Sequence, residues 1–344
     1  MRRIRRGALT IGGLAMIVAA TACTAVAKQS AGWWASAAIT PSTLVSPGGT
    51  SGSGATGTST GVARTNAQAT KGIAYATSSP SETLDLYLPS SNGSKPVPVV
   101  VLIHGGGFSG GDSSMEATYA QDLVTQGFAA ASINYRLSGE AKFPAGAQDV
   151  KAAVRWLRAH AGTYGLDPTR FAAWGQSAGG WMANMLGATG DQKTIFDDAA
   201  LGNAKESSAV QAVVSWFGPT NFATLDTQAK AVTACDTQSP VHSTTSTPES
   251  QWLGAAVATS PKTAETDIAT YLAKARTIPA WYLTHGDADC TVPGGQSLEL
   301  KNALASHGIY ATYVVLKGAH HIDPAFDREQ LRPTITFLKD TLNS

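Results

Sequence analysis

Residues 171–180 read Phe171-Ala172-Ala173-Trp174-Gly175-Gln176-Ser177-Ala178-Gly179-Gly180. An apolar run passes through Gly-x-Ser-x-Gly into Ala178 to Gly187, a segment of helical character, so the spacing predicts strand, sharp turn and helix in that order. Such a turn lifts the serine oxygen clear of the backbone. Side chains two positions to either side would collide, so glycines flank it. A helix starting directly after Ser177 also aims unpaired N–H groups, that of Ala178 included, at any anion forming beside the hydroxyl. Ser177 is therefore a candidate nucleophile; the plain alternative is a tight turn without chemistry.

Upstream, Val97 to Ile103 is nearly continuous and rich in β-branched residues, the pattern of a strand buried on both faces of a parallel sheet. Leu84, Leu86 and Leu88 alternate with Asp85 and Tyr87, as in a half-buried strand. Further strands fit Phe128 to Tyr135, Phe171 to Trp174, Val210 to Trp216, Trp281 to His285 and Thr312 to Leu316. Helices fit Met115 to Gln126, Gln148 to His160, Ala178 to Gly187, Gln296 to His307 and Asp327 to Leu342. The alternation predicts an α/β fold, an open and mostly parallel sheet with helices on both faces. Ligands of such sheets bind outside the carboxyl ends of the strands, so the loops there hold the chemistry.

One of those loops is His104-Gly105-Gly106-Gly107-Phe108. Three glycines let main chain lie against a substrate and turn N–H groups toward the oxygen of a tetrahedral intermediate. Gly105, Gly107 and Gly110 also satisfy the glycine spacing of a dinucleotide-binding turn, an alternative that leaves His104 and the serine turn unexplained. A nucleophilic serine needs a base, and the base an orienting acid. After the strand Trp281 to His285 comes Gly286-Asp287-Ala288-Asp289-Cys290-Thr291-Val292-Pro293, and after Thr312 to Leu316 comes Lys317-Gly318-Ala319-His320-His321. Asp289 is placed to enter the site, whereas Asp287 is placed to shape the turn. His160, His242 and His307 lack such context and are read as structural.

Taken jointly, His104-Gly105-Gly106-Gly107, Asn134-Tyr135-Arg136-Leu137, Gly175-Gln176-Ser177-Ala178-Gly179-Gly180, His285-Gly286-Asp287-Ala288-Asp289 and Val292-Pro293 resemble the α/β-hydrolase-fold serine esterases. The chain is most similar to carboxylesterases near the hormone-sensitive-lipase group and to the bifunctional acetylxylan and feruloyl esterase type, over about Gly72 to Leu342. The resemblance implies Ser177 as nucleophile, Asp289 as orienting acid and backbone donors from Gly106, Gly107 and Ala178. The family's histidine usually follows Gly-x-Gly, and aligning that on Gly318-Ala319-His320 puts the base at His321, although His320 stands where glycine is common. Trp181 replaces the basic or amide residue usual after the second glycine. With Trp216 and Phe217 it is a candidate for lining the substrate pocket, ordinary core packing being the alternative. Arg136 with Asp149 is expected to be a structural ion pair. No metal or organic cofactor is implied.

The other end of the chain is different in kind. Arg2, Arg3, Arg5 and Arg6 precede 21 uncharged residues, with the densest apolar run at Leu9 to Ala20 and Ala20-Thr21-Ala22 behind it, which reads as a signal peptide over 1–27. Cys23 follows that pattern and, as the acylated first residue of a lipoprotein, would attach the chain to a membrane. Residues 28–68 are dominated by Ala, Ser, Thr and Gly and read as a flexible tether, with Trp33 and Trp34 its only large side chains. Cys235 and Cys290 remain, and in an exported protein a pair is more often oxidised than free. The 344 residues balance at +1, yet residues 1–65 hold six basic and no acidic side chains, so 66–344 carry 19 basic and 24 acidic ones, or −5. An acidic domain is a poor nucleic-acid binder.

The expected protein is thus an exported, secreted or surface-anchored carboxylic ester hydrolase with its catalytic domain at 69–344, acting on short-chain, small-molecule or polysaccharide esters. A prolyl-oligopeptidase-like peptidase and a non-catalytic binding module on a hydrolase scaffold are the other readings of the same residues.

Overall fold

A computed structural model describes residues 68–90, 95–190, 192–235 and 241–343, all within the unit Thr60–Ser344. The predicted leader, Cys23 and the tether with Trp33 and Trp34 lie outside the described residues.

Eight strands form one sheet: β1 (Gln68–Ala74), β2 (Thr83–Leu88), β3 (Val97–Ile103), β4 (Ala129–Ile133), β5 (Leu166–Gln176), β6 (Ala212–Trp216), β7 (Ala280–Gly286) and β8 (Ala311–Leu316). Their order across the sheet is β1-β2-β4-β3-β5-β6-β7-β8. The pairings of β1 with β2 and of β2 with β4 are antiparallel and all others parallel. This is the mostly parallel α/β sheet that the strand and helix alternation predicts.

The two-residue period of β3 sorts its side chains between two cores. Val99, Val101 and Ile103 pack on one face with the helices Ala145–Ala159, Ala178–Thr189 and Gly295–Ser306, while Val100 and Leu102 pack on the other with Ala117–Thr125 and Leu331–Leu342. Each such side chain, fully buried, contributes roughly 1.5–3 kcal/mol of apolar transfer. β3 is therefore fixed from both sides at the centre of the sheet.

The structure departs from the sequence expectation at the sheet's edge. β2 is buried on both faces rather than half-buried, because Leu84 and Leu86 pack in one core and Tyr87 in the other, and β1, a polar Gln-Ala-Thr-Lys-Gly-Ile-Ala segment with no strand signature, pairs alongside it. Asp85 is accommodated there by accepting the Gly72 N–H at 2.9 Å and the Ser113 hydroxyl at 3.3 Å. The last helix, expected over Asp327 to Leu342, opens as a π-helical turn over Phe326–Gln330 and continues as an α-helix over Leu331–Leu342.

Candidate active site

Three strands, β5, β7 and β8, carry Ser177, Asp289 and His321 beyond their carboxyl ends, with β6 lying between β5 and β7 in the sheet. β5 ends at Gln176, and Ser177 turns the chain with φ +52° and ψ −122°, a conformation that a non-glycine residue holds only when its surroundings impose it. Two hydrogen bonds impose it here: the Ser177 N–H donates to Trp216 O at 3.0 Å, and Ser177 O accepts the Trp181 N–H at 3.2 Å. Gly179 is required for the packing of this turn, since a Cβ there would meet Ile103 O at 2.0 Å.

The loops after β7 and β8 meet over the serine. His321 Nε2 lies 2.9 Å from Ser177 Oγ, and its Nδ1 lies 2.7 Å from Asp289 Oδ2. Asp289 is wholly buried, and its Oδ1 accepts the N–H groups of Thr291 and Val292, each at 2.9 Å. Burial alone would raise this carboxyl. The positive charge of His321 and the hydrogen bonds from His285 and His321 outweigh it and hold Asp289 well below the usual carboxylate range. Phe217 packs edge-on against the His321 ring, centroids 4.8 Å apart. His320, by contrast, is exposed, and its backbone N–H donates to Asp323 at 3.3 Å. Of the two adjacent histidines only His321 reaches the serine. Asp287 accepts the Gly318 N–H at 2.5 Å and so ties the β7 and β8 loops together, as a turn-shaping residue.

Opposite them, the β3 loop turns through Gly106 and Gly107 at φ +108° and +59°. Among the described residues the N–H groups of Gly106, Gly107 and Ala178 donate to no protein acceptor, which leaves three main-chain donors at the mouth of the turn. His104 is not among the reacting groups. It is buried, stacks on Tyr135 at 4.5 Å and holds the loop through Nδ1 to Gly105 O at 2.7 Å, and burial lowers its basicity, keeping it a neutral donor. Arg136 and Asp149 are paired at 2.6 Å, and Asp149 also accepts the Arg136 backbone N–H at 2.8 Å.

The aromatic residues expected in the substrate pocket are elsewhere. Trp181 is fully buried, donates Nε1–H to Thr266 O at 2.9 Å and packs among Phe108, Phe143, Phe196, Phe222 and Trp252. Trp216 is fully buried in the opposite core, against Trp174 and with Nε1–H to Thr334 Oγ1 at 3.2 Å. Neither has surface left to touch a substrate, and Phe217 serves the histidine instead. Residues that sequence reasoning passed over are Pro248, which closes over Gly107, and the pair His285 and Ser297 behind Asp289. Nothing in the sequence signals Pro248; His285 stands four residues before Asp289 in a motif already singled out.

Cys235, in the segment between β6 and β7, is disulfide-bonded to Cys290, the neighbour of Asp289, with Cα atoms 5.6 Å apart.

Comparison with known proteins places this geometry. The BD-FAE family matches residues 84–304. Esterase LipC of Mycobacterium tuberculosis is 27% identical over 258 residues, covering 74% of this chain and 60% of LipC. Carboxylesterase NlhH of the same species is 42% identical over 91 residues, 26% of this chain and 28% of NlhH. The chain thus spans less than two thirds of the length of these curated relatives. Among solved structures, a truncated carbohydrate esterase from gut microbiota superposes with a TM-score of 0.70 at 28% identity, covering 82% of this chain and 99% of that one. A bifunctional GH43-CE protein of Bacteroides eggerthii gives 0.71 at 30% identity, over 80% of this chain and 35% of that one. With well over half of its residues matched by the family and the chain superposing on these esterases, it has the α/β-hydrolase fold and belongs to the BD-FAE family.

Proposed function

We propose that the protein is a serine carboxylesterase in which Ser177 is the nucleophile, His321 the general base and Asp289 its orienting acid. The observation that carries the reading is the hydrogen-bonded line Ser177 Oγ, His321, Asp289 at 2.9 and 2.7 Å, beside a glycine loop that packs on the serine turn and whose Gly106 and Gly107 N–H groups, like that of Ala178, have no protein acceptor among the described residues. His321 Nε2 takes the hydroxyl proton as Ser177 Oγ attacks the ester carbonyl, and the three N–H groups hold the oxyanion of the tetrahedral intermediate. His321 then gives its proton to the departing alcohol, leaving an acyl-enzyme. Water, deprotonated by the same histidine, releases the acid and restores Ser177.

Esters with a short acyl group, carried on a small alcohol or a carbohydrate, fit best. The packed rings of Phe108, Trp181, Phe222 and Trp252 leave little room behind the oxyanion loop, and a structural relative is titled a carbohydrate esterase. The basic and apolar leader supports export, followed by free secretion or by attachment through an acylated Cys23.

Hydrolysis of p-nitrophenyl acetate tests the reading. Ser177→Ala is expected to lower kcat/KM by at least about 10⁴-fold while leaving the thermal unfolding transition in place. A fluorophosphonate probe is expected to label the native protein at Ser177. Unlabelled native protein would make it a non-catalytic module, and turnover retained by Ser177→Ala would remove the serine from the mechanism.

A further inference from the structure

The acid loop between β7 and the helix Gly295–Ser306 is clasped by one buried imidazole. His285, the penultimate residue of β7, reaches three groups at once. Its Nε2 lies 2.8 Å from Val292 O and 3.3 Å from Asp289 Oδ2, and its Nδ1 lies 2.7 Å from Ser297 Oγ. Carbonyl and carboxylate oxygens only accept, so Nε2 carries the proton. Nδ1 then accepts from the Ser297 hydroxyl, and this fixes the tautomer. The single N–H is shared between the end of the acid loop and the same carboxylate oxygen that holds His321.

We propose that His285, keyed by Ser297, is a positioning residue that holds Asp289 as the orienter of His321. Without it Asp289 Oδ2 would face His321 alone. The Oδ1 atom is already tied by Thr291 and Val292 N–H, so the donor from His285 is what restrains the second oxygen. It also draws off part of the negative charge that would otherwise attract a proton to His321. The charged or titratable groups facing this carboxylate are His285 at the end of β7 and His321 on the β8 loop. His242, in the segment between β6 and β7, senses Asp289 from further off and is paired with Glu249 at 3.1 Å.

The inference rests on the esterase reading and is tested by pH profiles of kcat/KM for p-nitrophenyl acetate. His285→Phe keeps a ring of similar volume and removes the donor. Its plateau is expected to fall about tenfold, as for a lost hydrogen bond to a charged group. The pH of half-maximal kcat/KM on the acid side is expected to rise by about half a unit, because a less encumbered carboxylate favours the protonated base. His285→Gln, whose amide offers a donor at the place of Nε2, is expected to restore the native acid limb. Ser297→Ala, which unlocks the tautomer, is expected to move the limb the same way by less, and it carries the test if His285→Phe does not accumulate folded. Native activity lost with Ser177→Ala, but an acid limb unmoved in His285→Phe and Ser297→Ala, overturns this inference alone. A native protein without turnover overturns the esterase reading instead.

Discussion

The nucleophile turn and the acid corner sit side by side at the carboxyl edge of the sheet, yet they are held by different means. Ser177 is placed by backbone: residues 171–180 are contiguous, the turn is set by hydrogen bonds from main chain to main chain, and Gly179 lets it lie against Ile103. Asp289 and His321 depend more on side chains: beside the Thr291 and Val292 N–H groups, His285 on β7 and Ser297 on the following helix stand close to Asp289 in sequence, while Phe217 after β6 and the disulfide to Cys235 reach the corner from further off. A turn fixed by backbone geometry tolerates no intermediate state, whereas a corner assembled from several side chains is expected to loosen by degrees.

Gly179→Ala would break the comparison most sharply. Its methyl group has to enter space held by the Ile103 carbonyl, a backbone atom of the most buried strand, and the expected loss is more than about 4 kcal/mol of stability. Failure to accumulate folded protein, or a thermal midpoint collapsed by tens of degrees, is the signature. A near-native midpoint would mean that the turn has slack.

Replacing both half-cystines, Cys235→Ala with Cys290→Ala, addresses the corner. The expected cost is about 2–4 kcal/mol in chemical denaturation, because the bond closes a loop spanning 55 positions. Turnover should persist at a lowered kcat, since His285, Thr291 and Val292 still hold the acid. Activity lost together with the bond would show that the corner, too, is all-or-none.

An effect confined to higher pH concerns Glu116, buried at the end of the turn Ser113–Glu116 that leads into the helix Ala117–Thr125, where desolvation pushes its carboxyl up to about 8. A carboxyl raised in the folded state stabilises the fold while protonated, and that contribution is lost as pH rises from about 4.3 through 8. Glu116→Gln is therefore expected to match the native protein near pH 4 and to exceed its stability by up to several kcal/mol at pH 9. Thermal midpoints of the two proteins that stay parallel from pH 4 to 9 would remove Glu116 as an ionising group.

What could be read from the residues divides along the same line. β3 was legible because a run buried on both faces has a composition of its own, and the serine turn because its glycines are demanded locally. β1 was not, since Gln68–Ala74 becomes a strand only by pairing with β2 and has no apolar period. Trp181 and Trp216 were misplaced for a related reason. A tryptophan near the nucleophile in sequence faces whichever layer the helix or strand turns it to, and here the two were turned into opposite cores.

By itself, then, the sequence determined the strand and helix alternation, the glycine-bounded serine turn and the contrast between a basic N-terminal segment and an acidic remainder. Each rests on local pattern: side-chain period, steric demand at a turn, or charge counted along the chain. Only the tertiary structure decided that His321 rather than His320 meets the serine, that Pro248 covers Gly107, and that His285 stands behind Asp289. The first two join residues more than 140 positions apart and follow from strand order in the sheet, which no local pattern encodes; His285 is only four positions from Asp289, but its reach to that carboxylate and to Ser297 depends on how the loop after β7 folds back.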